Sequence, residues 1–344
     1  MKAARLHEYG HALVIDDVPT PSPGAGQVLV KIEGAGFCHS DIHVIDGEIR
    51  ILPRMPLTLG HENAGVVAAL GSGVTSVRVG DPVAIFGGLG CGLCDYCVTG
   101  HEQLCESPQW AGLSVYDGGY AEYMLVPHER YLVTLTTLST KDAAPLTDAA
   151  LTPYRAIKKA LPFLEPDHEA LVIGLGGLGQ YGFKLLKVLA GCPVIVVDVD
   201  ERKLALAREL GAVHALNGKD PDVAAKIRDL TRGHGVSASF DFVGSDATLA
   251  LAVGATRALG KVSQIGLAGG AARMQVLQNT RFEVQFEATL WGTIKELREV
   301  IGLAERGQLT SIPIEPAPLD RINDVYARLK RGEIQGRAVI TPAA

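Results

Sequence analysis

Four of the chain's six cysteines, Cys91, Cys94, Cys97 and Cys105, fall within fifteen residues as a C-x2-C-x2-C-x7-C array. Four thiolates so spaced complete a tetrahedral zinc shell and leave no position for a substrate. Two disulfides or a redox pair are the alternatives, but a reducing compartment opposes the first, and close thiolates bind zinc readily. A fifth cysteine opens Cys38-His39-Ser40-Asp41-Ile42-His43, and Gly60-His61-Glu62 follows downstream. One cysteine, one histidine and a carboxylate leave a coordination position free, where a bound oxygen can be polarised. The two constellations therefore read as one structural and one catalytic metal site. Cys192, just before Pro193, reads as a packed or idle thiol.

A second kind of chemistry sits in Ala170-Leu171-Val172-Ile173 followed by Gly174-Leu175-Gly176-Gly177-Leu178-Gly179 and a helical run from Gln180 to Ala190. This is G-x-G-x-x-G after a strand and at the opening of a helix. Glycines there allow a tight turn and close approach to a pyrophosphate, and the helix start offers free N–H groups to the anion. Asp198, nineteen residues after Gly179, ends the next strand, where a carboxylate accepts from ribose hydroxyls and repels a 2′-phosphate. NAD is thus favoured over NADP. Arg202 and Lys203 keep NADP open, since they would meet extra phosphate charge or else lie on a solvated first helical turn.

These motifs need elements to hold them. At 344 residues the chain should form about two domains. Up to about Pro127 it reads as short β-rich runs, such as 28–32 and 64–70, broken by Pro, Gly and Ser clusters. After Thr152-Pro153-Tyr154, strands at 170–173, 194–198, 238–243 and 261–266 alternate with helices, the pattern of a parallel sheet with crossovers. Helices at 201–210, 295–306 and 320–331 each stop at a glycine, and a last strand covers 338–341. The C-terminal elements would complete the first domain. A net charge of −6 with dispersed Lys and Arg argues against a nucleic-acid partner. No run approaches the roughly 20 apolar residues of a membrane span, and the first eight residues hold no apolar signal core, so a cytoplasmic location is expected.

With both metal constellations, the glycine turn and their order in view, nearly the whole sequence resembles the zinc-dependent alcohol dehydrogenases of the medium-chain dehydrogenase/reductase family. The resemblance implies an α/β chain in two parts. An irregular β-rich GroES-like catalytic domain would span 1–151, completed by 287–344, and a doubly wound parallel-sheet Rossmann domain would span 152–286. It implies two Zn²⁺ per chain and NAD, with an alcohol, ketone or aldehyde as small-molecule partner. In that family a third ligand of the catalytic zinc, usually cysteine, lies just before the second domain. Here Pro145-Leu146-Thr147-Asp148 puts Asp148 in its place, which resembles a microbial subgroup acting on secondary alcohols. The exchange preserves charge, because one thiolate, one carboxylate and a neutral imidazole still balance Zn²⁺. Aspartate is the harder ligand, so the catalytic zinc should be held less tightly than the structural one. Alternatively Asp148 caps a helix over 154–161, and Glu62 is the third ligand.

The same resemblance assigns roles to single residues. An alcohol at the open zinc position would lose its proton to Ser40, and His43 would pass it to solvent. Asp41 would orient His61, and Glu62 would stand beside the metal or reach it transiently. His39, Thr152, Leu267 and Arg337 match positions touching pyrophosphate or nicotinamide, and Val199, Lys203, Val243, Gly244, Gly266, Leu290 and Trp291 extend the cofactor surface. His43 and Arg337 could instead be a surface histidine and a surface ion pair. Trp110, Trp291 and Phe86 are candidate pocket walls or core. Medium-chain or aryl secondary alcohols are expected first and primary alcohols next, with a polyol or threonine dehydrogenase as the alternative. Chains of this length in the microbial branch resemble homotetramers, with residues 284–288 pairing edge to edge.

Overall fold

The computed structural model describes residues 1–275 and 278–342, and the statements below concern those residues. The chain forms two compact units, Met1–Leu151 with Trp291–Ala344, and Thr152–Leu290. The first crossing lies at Leu151–Thr152. The return crossing lies at Leu290–Trp291 rather than 286/287, because Gln285–Ala288 joins the sheet of the second unit.

In the first unit Val28–Gly36 is the organising strand. It pairs antiparallel with Glu62–Leu70, Tyr123–Val126 and Arg337–Thr341. The sheet runs on through Pro82–Ile85 to Leu132–Thr134 on one side and to Ile314–Pro318 on the other. The C-terminal segment thus supplies two strands, the one at Arg337–Thr341 that the sequence suggested and a second at Ile314–Pro318 that it did not. Apolar residues on one face of this sheet, among them Val30, Ile32, Ala64 and Val339, are buried at 1% exposure or less and fix its register. The long organising strand ends at Gly36, and the chain turns through Phe37 and Cys38 into the helix His39–Ile45. Helix 320–331 of the sequence reading is a 3-10 turn at Leu319–Arg321 followed by an α-helix at Ile322–Lys330.

The second unit is a six-stranded parallel sheet in the order His214–Asn217, Val194–Asp198, Ala170–Ile173, Val236–Asp241, Thr256–Gln264, Gln285–Ala288. Numbered along the chain, this is the 3-2-1-4-5-6 arrangement of a dinucleotide-binding fold. Leu171, Ile173, Ile195, Val197 and Val262 on its strands and Ile227 and Ala252 on its helices build the core. Buried on both faces, such strands read as continuous apolar runs, which made 170–173 and 194–198 visible. His214–Asn217 is an exposed or half-buried edge and gave no such run. No helix is long and apolar enough to cross a membrane.

Candidate functional site

The fifteen-residue cysteine loop folds into a separate lobe. A short helix at Asp95–Val98 and a 3-10 turn at Glu102–Leu104 bring its four sulfurs within 4.8 Å of one another. Cys91 and Cys97 Sγ are 3.9 Å apart, and Cys94 and Cys105 Sγ are 3.8 Å apart. A tetrahedron with Zn–S bonds of about 2.3 Å has edges of about 3.8 Å, so the thiols fit one zinc ion and form no disulfide. Amide N–H groups of Leu93 and Cys94 donate to Cys91 Sγ and pull its thiol down to about 6. Burial pushes the Cys97 thiol up to about 12. The lobe has little core of its own: Leu93 is 85% exposed and Val98 66%. Its order must come from the metal.

The second cluster gathers Cys38, His61, Glu62 and Asp148, all buried, with one ligand atom from each inside the same 4.8 Å limit. Cys38 stands at the N-cap of the helix His39–Ile45, His61 precedes the strand Glu62–Leu70, and Asp148 follows the 3-10 turn Ala144–Thr147. Asp148 Oδ2 lies 3.8 Å from Cys38 Sγ and 3.5 Å from His61 Nε2. Tetrahedral zinc with sulfur, nitrogen and oxygen ligands requires edges of about 3.3 to 3.7 Å, so these three donors suit the ion. Asp148 closes the 3-10 turn, and because the following helix starts at Leu151 it does not occupy that helix's N-cap position. Burial disfavours charge on His61, yet Asp41 and Asp148 outweigh it and draw a proton on. Two carboxylates gathered on a buried thiol and imidazole in this way favour a cation at their centre.

Each ligand has its own support. Asp41 Oδ2 accepts the Cys38 N–H at 2.9 Å and the Tyr120 O–H at 2.7 Å, while Asp41 Oδ1 faces His61 Nδ1 at 3.3 Å. This leaves His61 Nε2 for the cluster, the arrangement in which a carboxylate orients a metal-bound histidine. Tyr120 was not foreseen: it lies 79 residues from Asp41, and no spacing rule connects them. Glu62 accepts two hydrogen bonds from Arg337, one from Nε at 2.8 Å and one from Nη2. Arg337 is 4% exposed, so the surface ion pair entertained for it is excluded and its guanidinium sits on the metal cluster's carboxylate. Burial pushes Glu62 up to about 7 although Arg337 pulls the other way. Gly36 makes this pair possible, because a Cβ there would stand 1.9 Å from Glu62 Oε2.

On the helix after Cys38, Ser40 Oγ lies 3.5 Å from Cys38 Sγ. His43, one turn further along the same face, holds Glu48 Oε2 at 2.5 Å through Nδ1, and its side chain is 18% exposed. It is therefore half-enclosed rather than a surface histidine. His39 is exposed. Trp291 is 4% exposed within the first unit, with Phe86 and Trp110 ring centroids 6.5 and 6.2 Å away.

In the second unit the glycine turn has the expected form. Gly174 adopts φ +85°, and a Cβ on Gly179 would come within 1.9 Å of Gly174 O, so the chain can enter the helix Gly177–Leu189 only with glycines. A Cβ on Gly176 would meet nothing within 4 Å, and no side chain caps the helix, whose first N–H groups stay available to an anion. Leu178 lies in its first turn. Asp198 Oδ2 accepts the Leu175 N–H at 2.7 Å and tethers the turn to the end of its strand. Lys203 Nζ stands 3.7 Å from the same oxygen. Arg202 is held on Asp200 by contacts of 2.6 to 3.2 Å.

At the same C-terminal ends of the parallel strands, Val199, Val243 and Leu267 are exposed apolar side chains, and Leu290 follows the last strand. Asp241 Oδ1 accepts the N–H groups of Val243 and Gly244. Gly244 and Gly266 lie in contact, each with no room for a Cβ. Thr152 opens this unit near the start of the helix Leu151–Ala160. Uncapped helix, open glycine and apolar rim are the surface a dinucleotide needs.

Residues 24–137 match the family described as alcohol dehydrogenase GroES-like domain, and residues 177–306 match zinc-binding dehydrogenase. An NAD-dependent alcohol dehydrogenase of Sulfurisphaera tokodaii is 39% identical over 99% of this chain and 100% of its own. The crystal structure of an alcohol dehydrogenase from Aeropyrum pernix superposes with a TM-score of 0.92 at 40% identity, covering 99% of this chain and 100% of that one. An acetophenone reductase from Geotrichum candidum, solved in complex with NAD, gives 0.88 at 32% identity over 99% and 97% of the two chains. Carrying both cysteine-containing clusters and the glycine turn, and matched along nearly its full length by these relatives, this chain belongs to the zinc-dependent alcohol dehydrogenases of the medium-chain dehydrogenase/reductase family.

Proposed function

We propose that the chain interconverts small alcohols with ketones or aldehydes using NAD, secondary aryl or medium-chain alcohols being the preferred substrates. The observation that carries this reading is the convergence of Cys38, His61 and Asp148 on one point beside the rings of Trp291, Phe86 and Trp110. Cys38, His61 and Asp148 would hold zinc, which would supply polarisation of a hydroxyl oxygen, and the glycine turn of the second unit would hold NAD⁺, which would supply the hydride acceptor. The chain's own side chains do the remaining work. Cys38 and Asp148 contribute the two negative charges that balance the ion, and Asp41 keeps His61 Nε2 turned to it. Ser40 Oγ, beside the Cys38 sulfur, accepts the hydroxyl proton as it passes its own on by way of the cofactor ribose to His43, which releases a proton to solvent from a side chain that is partly open and anchored on Glu48.

Trp291 against His61, with Phe86 and Trp110 packed on it, gives the site an apolar side that favours apolar substituents on the carbinol carbon. Asp198 and the engagement of Arg202 with Asp200 favour NAD over NADP. We also propose a homo-oligomer, with a tetramer the closed form expected. Gln285–Ala288 is the sheet's edge strand, and Phe286 on it and Phe282 beside it are exposed at 39% and 59%. A bare apolar edge of this kind is a pairing surface. Six free thiols suit a reducing cytoplasm. The test is NADH formation with α-methylbenzyl alcohol against its primary isomer, phenethyl alcohol. Higher kcat/KM for the secondary alcohol, lost on chelation, is expected; preference for the primary isomer would overturn the substrate assignment and leave the zinc chemistry standing. Light scattering showing a monomer would remove the oligomer.

A further inference from the structure

We propose that Trp291 is a positioning residue that holds two of the three side chains of the Cys38–His61–Asp148 cluster, an inference that rests on reading that cluster as the zinc site. Its indole Nε1–H donates to Thr147 O at 2.9 Å. Thr147 is fully buried and immediately precedes Asp148, so this carbonyl needs a partner, and the indole supplies one. The Asp148 backbone, at φ −142° and ψ −58°, leaves the 3-10 turn in a non-helical conformation. A donor fixed on the preceding peptide therefore sets where the Asp148 carboxylate points.

The same ring stands edge-on to His61, centroids 5.5 Å apart at 82°. An edge contact of this kind limits rotation of the imidazole, whose Nδ1 faces Asp41. Room for the indole is created by Gly87, whose Cβ would lie 2.5 Å from Trp291 Cζ2 and 2.6 Å from His61 O.

Backbone conformation gives an independent sign of constraint. Trp291 has φ +48°, a region that a bulky side chain rarely occupies. Such strain persists only where surrounding contacts over-determine it, and it concentrates at functional sites. Here those contacts are the hydrogen bond to Thr147, the His61 edge and the rings of Phe86 and Trp110. This duty toward the metal ligands is separate from the nicotinamide contact expected of Trp291 from resemblance. Spacing alone would not show it, since Trp291 and Thr147 are 144 residues apart.

The test measures zinc transfer to a colorimetric chelator, resolving the catalytic and structural phases, together with kcat and KM for α-methylbenzyl alcohol. Trp291→Phe keeps a ring and removes the N–H. Because supporting partners of metal ligands are typically worth 10- to 100-fold in affinity, the catalytic phase should accelerate roughly tenfold while the structural phase stays at its wild-type rate. The fall in activity should appear in kcat, with KM for NAD unchanged. Wild-type rates in both phases with wild-type kcat would overturn the proposal, as would equal acceleration of both. Should Trp291→Phe fail to fold, benzothienylalanine at 291, which keeps the shape and lacks only the donor, decides: faster catalytic-zinc release supports the proposal, and a wild-type rate overturns it. If the unaltered protein releases two zinc ions in two phases but oxidises no alcohol, the functional reading fails while the role of Trp291 is still read from the zinc phases.

Discussion

The cysteine lobe takes four sulfurs from one loop of fifteen residues, whereas the second cluster joins Cys38 and Asp148 from positions 110 residues apart, with His61 between them. In the lobe the ligands are alike and soft, exposure is high, and the metal is the core. In the second cluster the ligands are of three kinds, the surroundings are buried, and every donor has a protein partner: Asp41 and Tyr120 for Cys38 and His61, Arg337 for Glu62, Trp291 for the turn before Asp148. The difference teaches that a closed site can be specified by a short spacing alone, while an open site needs the fold to hold what the missing ligand would have held.

Substitutions should separate the two. Cys38→Ser removes a catalytic ligand without touching the lobe, and the loss of several kcal/mol of charge stabilisation should lower kcat/KM roughly a thousandfold while thermal unfolding barely moves. Cys97→Ser should do the reverse in order: release of the lobe's zinc, protease sensitivity between residues 91 and 105, and only then a loss of activity. A Cys38→Ser enzyme with near-normal turnover would break the assignment.

Arg337→Met takes away the partner of the buried Glu62, which must then stay charged without a partner or take up a proton, and breaking a buried pair costs up to about 3–5 kcal/mol. Urea unfolding should show it as a lower midpoint with unchanged slope. A change under about 1 kcal/mol would mean that Glu62 finds another partner, the metal being the one within reach.

Asp148→Cys sharpens the contrast in ligand hardness. It should retain turnover and slow the chelator-driven release of the catalytic zinc by roughly tenfold, toward that of the lobe, since zinc favours thiolate. Equal release rates in the unaltered protein would contradict the contrast.

The smallest effect belongs to the second unit. Arg202 pulls the Asp200 carboxyl from 3.8 down to about 2, and Asp200 caps the helix Glu201–Glu209 by accepting the Arg202 N–H. Because the folded pKa lies below the unfolded one, this stabilisation is complete above about pH 4 and disappears as pH falls through about 2. Asp200→Ala should cost about 1 kcal/mol at neutral pH and nothing at the acid end, read from unfolding midpoints across pH.

Much of this architecture was legible in the order of residues because the relevant physics is local. The lobe, the glycine turn and the strands 170–173 and 194–198 are each written within a window of about twenty residues, the reach of spacing and periodicity. The metal cluster was half legible: Cys38 and His61 stand in short polar motifs, but Asp148 was placed by resemblance alone. What could not be read is the set of long-range partners. Tyr120 to Asp41, Arg337 to Glu62 and Trp291 to Thr147 join positions 79, 275 and 144 residues apart, and a buried tyrosine or arginine looks like any other until its neighbour is known. The edge strand Gln285–Ala288 moved the domain crossing for the same reason, since its partner strand, Thr256–Gln264, lies across a long connection.

The most direct test follows zinc content and NADH formation together during slow chelation. Activity should vanish with the first zinc equivalent lost, while circular dichroism and the second equivalent persist. Activity that survives the first equivalent and falls only with the second, or that outlasts both, would contradict the assignment of the chemistry to Cys38, His61 and Asp148.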